Sequence, residues 1–142
     1  MKLHVSMRVA DYEKAVAFYS GLFGQEPSVT RENYAKWDVE DPSVNFVIES
    51  ERGEPGFDHI GIQVADHDEL NTVADRMRAM DRPFLDIEQT TCCFARMEKA
   101  WVKGEANDAW ETFLTHSHDA EEYGVDRSHL LDRGIHRPSQ CP

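Results

Sequence analysis

The chain has 142 residues, 40% of them hydrophobic and 30% charged, with 27 acidic against 15 basic residues and a formal charge of −12. That is the composition of a soluble globular protein long enough for one domain with an unstapled core, and its acidic field disfavours nucleic acid and anionic membrane as partners. No apolar run is long enough to span a bilayer and no signal pattern opens the chain, so a cytoplasmic location is expected; three cysteines, two of them adjacent, do not make a disulfide framework.

In chain order, the first expected element is a strand over Lys2–Val9. Leu3, Val5, Met7 and Val9 alternate with His4, Ser6 and Arg8, which gives one apolar and one polar face. Asp11 is a natural N-cap for a helix whose stripe is Tyr12, Ala15, Val16, Tyr19, Leu22 and Phe23, and Gly24 supplies its stop. Strands are expected around Tyr34–Val39 and Val44–Ser50 on either side of a turn at Asp41-Pro42. The charged Glu51–Gly56 segment, with its Gly and Pro, reads as a linker.

The plan then repeats. His59-Ile60-Gly61-Ile62-Gln63-Val64-Ala65-Asp66 echoes His4-Val5-Ser6-Met7-Arg8-Val9-Ala10-Asp11, 55 positions earlier. Self-similarity on this scale marks two like modules. A strand over Asp58–Val64 leads to Asp66-x-x-Glu69, which has the form of a capping box. Leu70, Val73, Ala74, Met77 and Met80 form the stripe of the second helix. Beyond Pro83, strands are expected near Phe84–Glu88, Cys93–Val102 and Ala109–Thr115. Ser117–Pro142 is polar and irregular and reads as a tail. Each half is therefore strand, helix, strand, strand, strand, and the fold class is α+β with two tandem βαβββ modules. Residues 1–116 form one domain in this reading, from modules 1–52 and 57–116, followed by the tail 117–142.

In each opening strand the apolar face must cover the module's helix. The opposite faces, with His4 in one module and His59 in the other, should then line a concavity. A third metal ligand is available in Glu111, the one ionised residue in the strand Trp110–Leu114, since a carboxylate there is costly to bury unless it is paired or bound to a cation. Two imidazoles and a carboxylate are the ligand set of non-haem Fe(II) oxygenases. A strand histidine is also commonly just a hydrogen-bonded or surface residue, and both readings stand at this point. Glu49 is expected to be a solvated strand-end charge, with inward ligation as its alternative. His67, beside a helix cap, and His116, His118, His129 and His136, near or in the tail, are expected to be solvated. Adjacent Cys92 and Cys93 suit a thiophilic centre such as trivalent arsenic or Cd²⁺, although spacing alone favours one buried and one incidental thiol.

With His4 and His59 in matched strands, the two-module plan resembles the vicinal oxygen chelate superfamily, which includes glyoxalase I, extradiol dioxygenases and antibiotic-resistance proteins. The run Thr90-Thr91-Cys92-Cys93-Phe94-Ala95, followed by Lys99-Ala100-Trp101-Val102 and Trp110-Glu111, is similar to its ArsI/CadI group of organoarsenical carbon–arsenic lyases and cadmium-inducible proteins. The resemblance covers about residues 1–115. It implies a half-barrel metal cavity with His4, His59 and Glu111 on Fe(II), although Ni, Co, Zn or Mn could occupy such a site. It also implies Cys92 and Cys93 on the arsenic, and O₂-dependent cleavage of methylarsenite or trivalent aromatic arsenicals to arsenite. The alternatives are a non-catalytic cadmium or soft-metal binding protein and another metalloenzyme of the superfamily, such as an extradiol-type dioxygenase. A homodimer and a monomer both fit. Two features depart from the group's pattern: Cys141 is the one cysteine near the C-terminus, and Lys103–Asp108 replaces an Asp-Pro-x-Gly type of turn.

Overall fold

The structure, a computed structural model, describes residues 1–92, 95–106, 108–117 and 131. The chain divides into two compact units, residues 2–60 and residues 61–142 together with Met1. Among the described residues the elements run β1 (Lys2–Val9), α1 (Tyr12–Phe23), β2 (Val29–Arg31), β3 (Tyr34–Val39), β4 (Val44–Ser50), β5 (Gly56–Gln63), α2 (His67–Arg78), β6 (Phe84–Cys92), β7 (Ala95–Lys103) and β8 (Ala109–Ser117). This is the expected α+β order, two βαβββ modules in succession. The short β2 is the strand that the sequence pattern implies but does not locate. With three residues it has no periodicity to read, and it exists through its antiparallel pairing with β3.

In the unit 2–60 the strands lie in the order β2-β3-β4-β1, with β4 antiparallel to β3 and parallel to β1. The β1 alternation holds. Val5, Met7 and Val9 pack with Tyr12, Ala15, Val16, Tyr19 and Phe23 of α1 around buried Trp37, Phe46 and Ile48. His4 and Ser6 are buried on the other face. Asp11 caps α1 by accepting from Lys14 N at 3.1 Å, and Gly24 closes it at φ 66°, a backbone conformation that a side chain resists. Leu22, expected in the stripe, is 63% exposed. The partly buried arc of α1 is narrower than the full apolar set, because Tyr19 and Phe23 already fill the space over Phe46.

In the unit 61–142, β8, β7 and β6 are successive antiparallel neighbours. The end of β5 lies on β8, where Ile62 O accepts from Thr112 Oγ1 and Val64 N donates to Phe113 O. The order β5-β8-β7-β6 thus repeats β1-β4-β3-β2. Leu70, Val73, Ala74 and Met77 of α2 bury against Val64, Ala100, Val102 and Leu114. Met80, expected in that stripe, lies beyond the helix end at Arg78 and is exposed. The cap is a variant of the expected box: Asp66 accepts from Glu69 N, and Glu69 reaches back to Ala65 N rather than to the cap itself. Strand β6 runs on to Cys92, past the expected end at Glu88. Strand β7 begins at Ala95 rather than Cys93, because pairing of Cys92 with Ala95 carries the ladder to the hairpin end. Leu131, in the segment read as a tail, is buried with Leu85 and Trp101. No described helix is long and apolar enough to cross a membrane.

Candidate functional site

The first part of the site lies within residues 2–60. Parallel pairing sets His4 opposite Asn45, and His4 Nδ1 lies 3.1 Å from the Asn45 carbonyl oxygen. A carbonyl only accepts, so Nδ1 holds the ring proton and, in the neutral ring, Nε2 carries the lone pair. In β5, His59 Nδ1 is 2.7 Å from Asp58 Oδ2, which fixes the same tautomer by the same logic. Burial works to raise the Asp58 pKa. The hydrogen bond from His59 and the positive charges of Arg8 and Arg52 outweigh it and hold the carboxyl below its ordinary value. Arg8 Nη1 donates to Asp58 Oδ1 at 2.8 Å, so the carboxylate is itself oriented.

The two Nε2 atoms then stand 3.1 Å apart, with both rings buried. Two lone pairs at that distance repel unless a proton or a cation lies between them. The spacing matches two neighbouring ligands of a metal bound at about 2.0–2.1 Å. Each ring is aimed by an oxygen on its far nitrogen, the usual outer support of a metal-bound histidine. The two histidines that the repeat picks out are brought together and fit a divalent cation. Glu49 is not the solvated strand-end charge expected: it is 3% exposed and accepts from Arg52 Nη1 at 2.9 Å. Burial of the whole of β4 carries it inward.

Glu111 belongs to the unit 61–142 and is 2% exposed. Its Oε2 accepts from Lys99 Nζ at 2.9 Å, and Lys99 is itself buried, with its ammonium 5.5 Å from the Trp101 ring centre and 5.8 Å from that of Phe113. Because Trp101 pairs with Glu111 and Lys99 with Phe113, the two charges are diagonal neighbours on one face of the β7–β8 ladder. Gly61 makes room for this carboxylate: a Cβ there would lie 2.6 Å from both Glu111 Cγ and Glu111 O. Gly61 follows His59 by two residues in β5, and alternation puts both on one face of that strand.

Cys92 is the last residue of β6, with its backbone paired to Ala95. Cys93 lies outside the described residues, as do His118, His129, His136 and Cys141. His67 and His116 are not merely solvated, since both lie 2.7 Å from Glu98 Oε2. His116 belongs to β8 rather than to a tail. A cavity of about 390 Å³ lined by Val73, Met77, Met80, Val102 and Trp110 contains none of the predicted site residues.

Residues 3–111 match the model of the Glyoxalase/Bleomycin resistance protein/Dioxygenase superfamily. The chain belongs to this superfamily. It is 37% identical over 117 residues to a trivalent organoarsenical cleaving enzyme of Bacillus sp. (strain MD1), covering 79% of this chain and 71% of that one. It is 33% identical over 132 residues to the cadmium-induced protein CadI of Mycobacterium tuberculosis, covering 90% of this chain and 84% of that one. Among solved structures, methylmalonyl-CoA epimerase from Mycobacterium tuberculosis superposes with a TM-score of 0.58 at 18% identity, over 80% of this chain and 87% of that one, a likeness of fold.

Sequence reasoning passes over the groups that support His4 and Glu111. Asn45 aims His4 through its backbone, which leaves no trace in the identity of residue 45. Lys99 has a signal that can be used. A carboxylate assigned to an inward face calls for a cation, and Lys99 shares the alternation of Trp101 on the neighbouring strand.

Proposed function

We propose that this chain is a carbon–arsenic lyase acting in the cytoplasm, in which His4, His59 and Glu111 hold a single Fe(II) ion. Fe(II) bound by two imidazoles and a carboxylate supplies open positions for O₂ and substrate, and with them the capacity for oxidative cleavage. In this reading the substrate is methylarsenite or a trivalent aromatic arsenical, and arsenite is the product. The observation that carries it is the buried pair of Nε2 atoms at 3.1 Å, each ring aimed by an oxygen on its other nitrogen. The likeness to a trivalent organoarsenical cleaving enzyme at 37% identity supplies the substrate class.

The residues divide the work. Asn45 and Asp58 keep the protons of His4 and His59 on Nδ1, so that both Nε2 atoms present lone pairs. Lys99 holds the Glu111 carboxylate charged in an interior that would otherwise favour its neutral form. Cys92 and Cys93 are the substrate anchors: trivalent arsenic is a soft centre, and paired thiolates fix it so that the bond to be cleaved is held in one place. The test is to load the protein anaerobically with Fe(II), admit air and methylarsenite, and quantify arsenite. Release that falls to background in Glu111→Ala and Cys92→Ser supports the reading, and undiminished release from either variant refutes the role of the residue replaced.

The likeness to CadI over 90% of the chain favours a second reading, in which Cys92 and Cys93 sequester Cd²⁺ without turnover. That reading predicts stoichiometric Cd²⁺ binding that survives Glu111→Ala, and no arsenite release under any condition.

A further inference from the structure

On the outer face of the unit 61–142, three side chains from three elements converge. His67 is the first residue of α2, Glu98 lies in β7, and His116 lies in β8. Glu98 pairs with Leu114, whose side chain is in the core beneath α2, so Glu98 shares the α2 side of the sheet. The register of β8 against β7 shifts there: Met97 pairs with Thr115 but Arg96 pairs with Ser117, which leaves His116 as the extra residue of a bulge. Bulges of this kind re-aim a side chain. His116 Nε2 and His67 Nε2 both lie 2.7 Å from the same oxygen, Glu98 Oε2, and the two ring centres are 5.7 Å apart. One nitrogen from each ring and a carboxylate oxygen all fall within 4.8 Å of one another.

We propose that His67, Glu98 and His116 form a second cation site, on the surface, which takes a zinc-class divalent ion. Two imidazoles and one carboxylate are borderline ligands, suited to Zn²⁺, Ni²⁺ or Co²⁺ rather than to Ca²⁺ or Mg²⁺. Ligands on a tetrahedral zinc ion stand about 3.3–3.6 Å apart, given bonds of about 2.0–2.2 Å. Each Nε2–Oε2 distance of 2.7 Å has to lengthen by about 0.6–0.9 Å to reach that spacing. The side chains have room to do so, since His67 is 62% exposed and His116 40%, while Glu98 at 17% provides the fixed point. A cation next to the N-terminus of a helix is opposed by the helix dipole. Here Asp66 at the cap and Asp68 and Glu69 in the first turn offset that field.

The site is distinct from the His4, His59 and Glu111 set and shares no residue with it. It ties the start of α2 to the β7–β8 ladder. Through His116 it also adjoins a cavity of about 370 Å³ lined by Gln89, Thr90, Thr91, Arg96 and Met97. A bound ion would therefore brace β7, the strand paired with the Cys92-bearing β6, against β8.

The test is a Zn²⁺ titration of the full chain followed by long-range ¹H–¹⁵N correlation of the imidazoles, with the two rings assigned by their loss in His67→Ala and His116→Ala. The expected result is that both rings shift together and saturate with one equivalent of Zn²⁺ beyond that taken by the His4, His59 and Glu111 set. Glu98→Gln should weaken the midpoint at least as much as loss of an outer support does, about tenfold or more. His67→Ala should weaken the response of His116 by a similar factor. The same titration in His4→Ala should still shift both rings together to the same end point, which separates this site from the proposed iron site. The proposal is overturned if neither ring moves in excess Zn²⁺, if the His116 response is the same without His67, or if the response disappears in His4→Ala.

Discussion

Replacing Lys99 with Met tests how Glu111 is held. The substitution removes the ammonium that lies 2.9 Å from Glu111 Oε2 and keeps an unbranched apolar stem against Trp101 and Phe113. Both side chains are almost wholly buried, at 6% and 3% exposure, so solvent cannot take over the lost role. The gross Coulomb attraction at that distance is about 6 kcal/mol for an effective dielectric constant of about 20, most of it offset by the cost of desolvating two charges. Removing one partner, however, leaves that cost in place for the other. The expected loss of stability in metal-free Lys99→Met is about 3–5 kcal/mol, against no more than about 1 kcal/mol for a surface pair. Urea unfolding of chelator-treated protein, followed by tryptophan fluorescence, measures it. The double variant Lys99→Met/Glu111→Gln should recover most of the loss, because it buries neither charge. A single-variant cost below about 1 kcal/mol, or a double variant as unstable as the sum of the two singles, would refute the pairing of a charged Glu111 with Lys99.

Three further outcomes are expected. Asp58→Asn removes the anion that orients His59 and should weaken divalent metal binding by about 10–100-fold while leaving the fold intact, as read by competition with a metal-sensing dye; unchanged affinity would count against the tautomer assigned to His59. Gly61→Ala puts a methyl group 2.6 Å from Glu111 Cγ and O, which should cost about 1–3 kcal/mol in urea unfolding, and the same substitution made in a Lys99→Met/Glu111→Ala background, where neither charge is left buried and unpaired, should cost less because one of the two clashing atoms is gone. Finally, burial works to raise the Asp86 pKa, but the hydrogen bond and charge of Arg78 and the Ile87 N–H hold it below its ordinary value. A carboxyl depressed on folding adds stability above its unfolded pKa of about 3.9, and that stability is lost as pH falls through the folded value. Because the pair is more than a third exposed, its worth is under about 1 kcal/mol. Asp86→Asn should lower Tm slightly at pH 7 and leave it unchanged near pH 2, and an equal loss at both pH values would mean the effect is not electrostatic.

The repeated strand is legible because a half-buried strand writes its burial into alternate residues. His4 and His59 stand out that way, and the alternation of Val5, Met7 and Val9 sends His4 to the face away from α1. The helix caps at Asp11 and Asp66 are equally local, since each is set by a side chain and a backbone N–H three residues on. Glu111 can be singled out because an isolated charge in an apolar strand is expensive. Leu22 and Met80 mislead for the complementary reason: helical periodicity names an apolar face but not how wide a face the neighbouring strands leave to be covered.

The sequence by itself determined the two-module plan, the two histidines and the buried carboxylate, because each follows from short-range patterning of burial. What the tertiary structure decided was which atoms face one another across strands far apart in sequence. The Asn45 carbonyl aims His4, Asp58 turned by Arg8 aims His59, and Lys99 answers Glu111 across the β7–β8 ladder. The bulge at His116 brings that ring to Glu98 beside His67, three residues that no sequence window contains together. Register between strands and the local insertion of one residue fix these meetings, and both depend on pairing energies summed over whole strands rather than on the residues that meet.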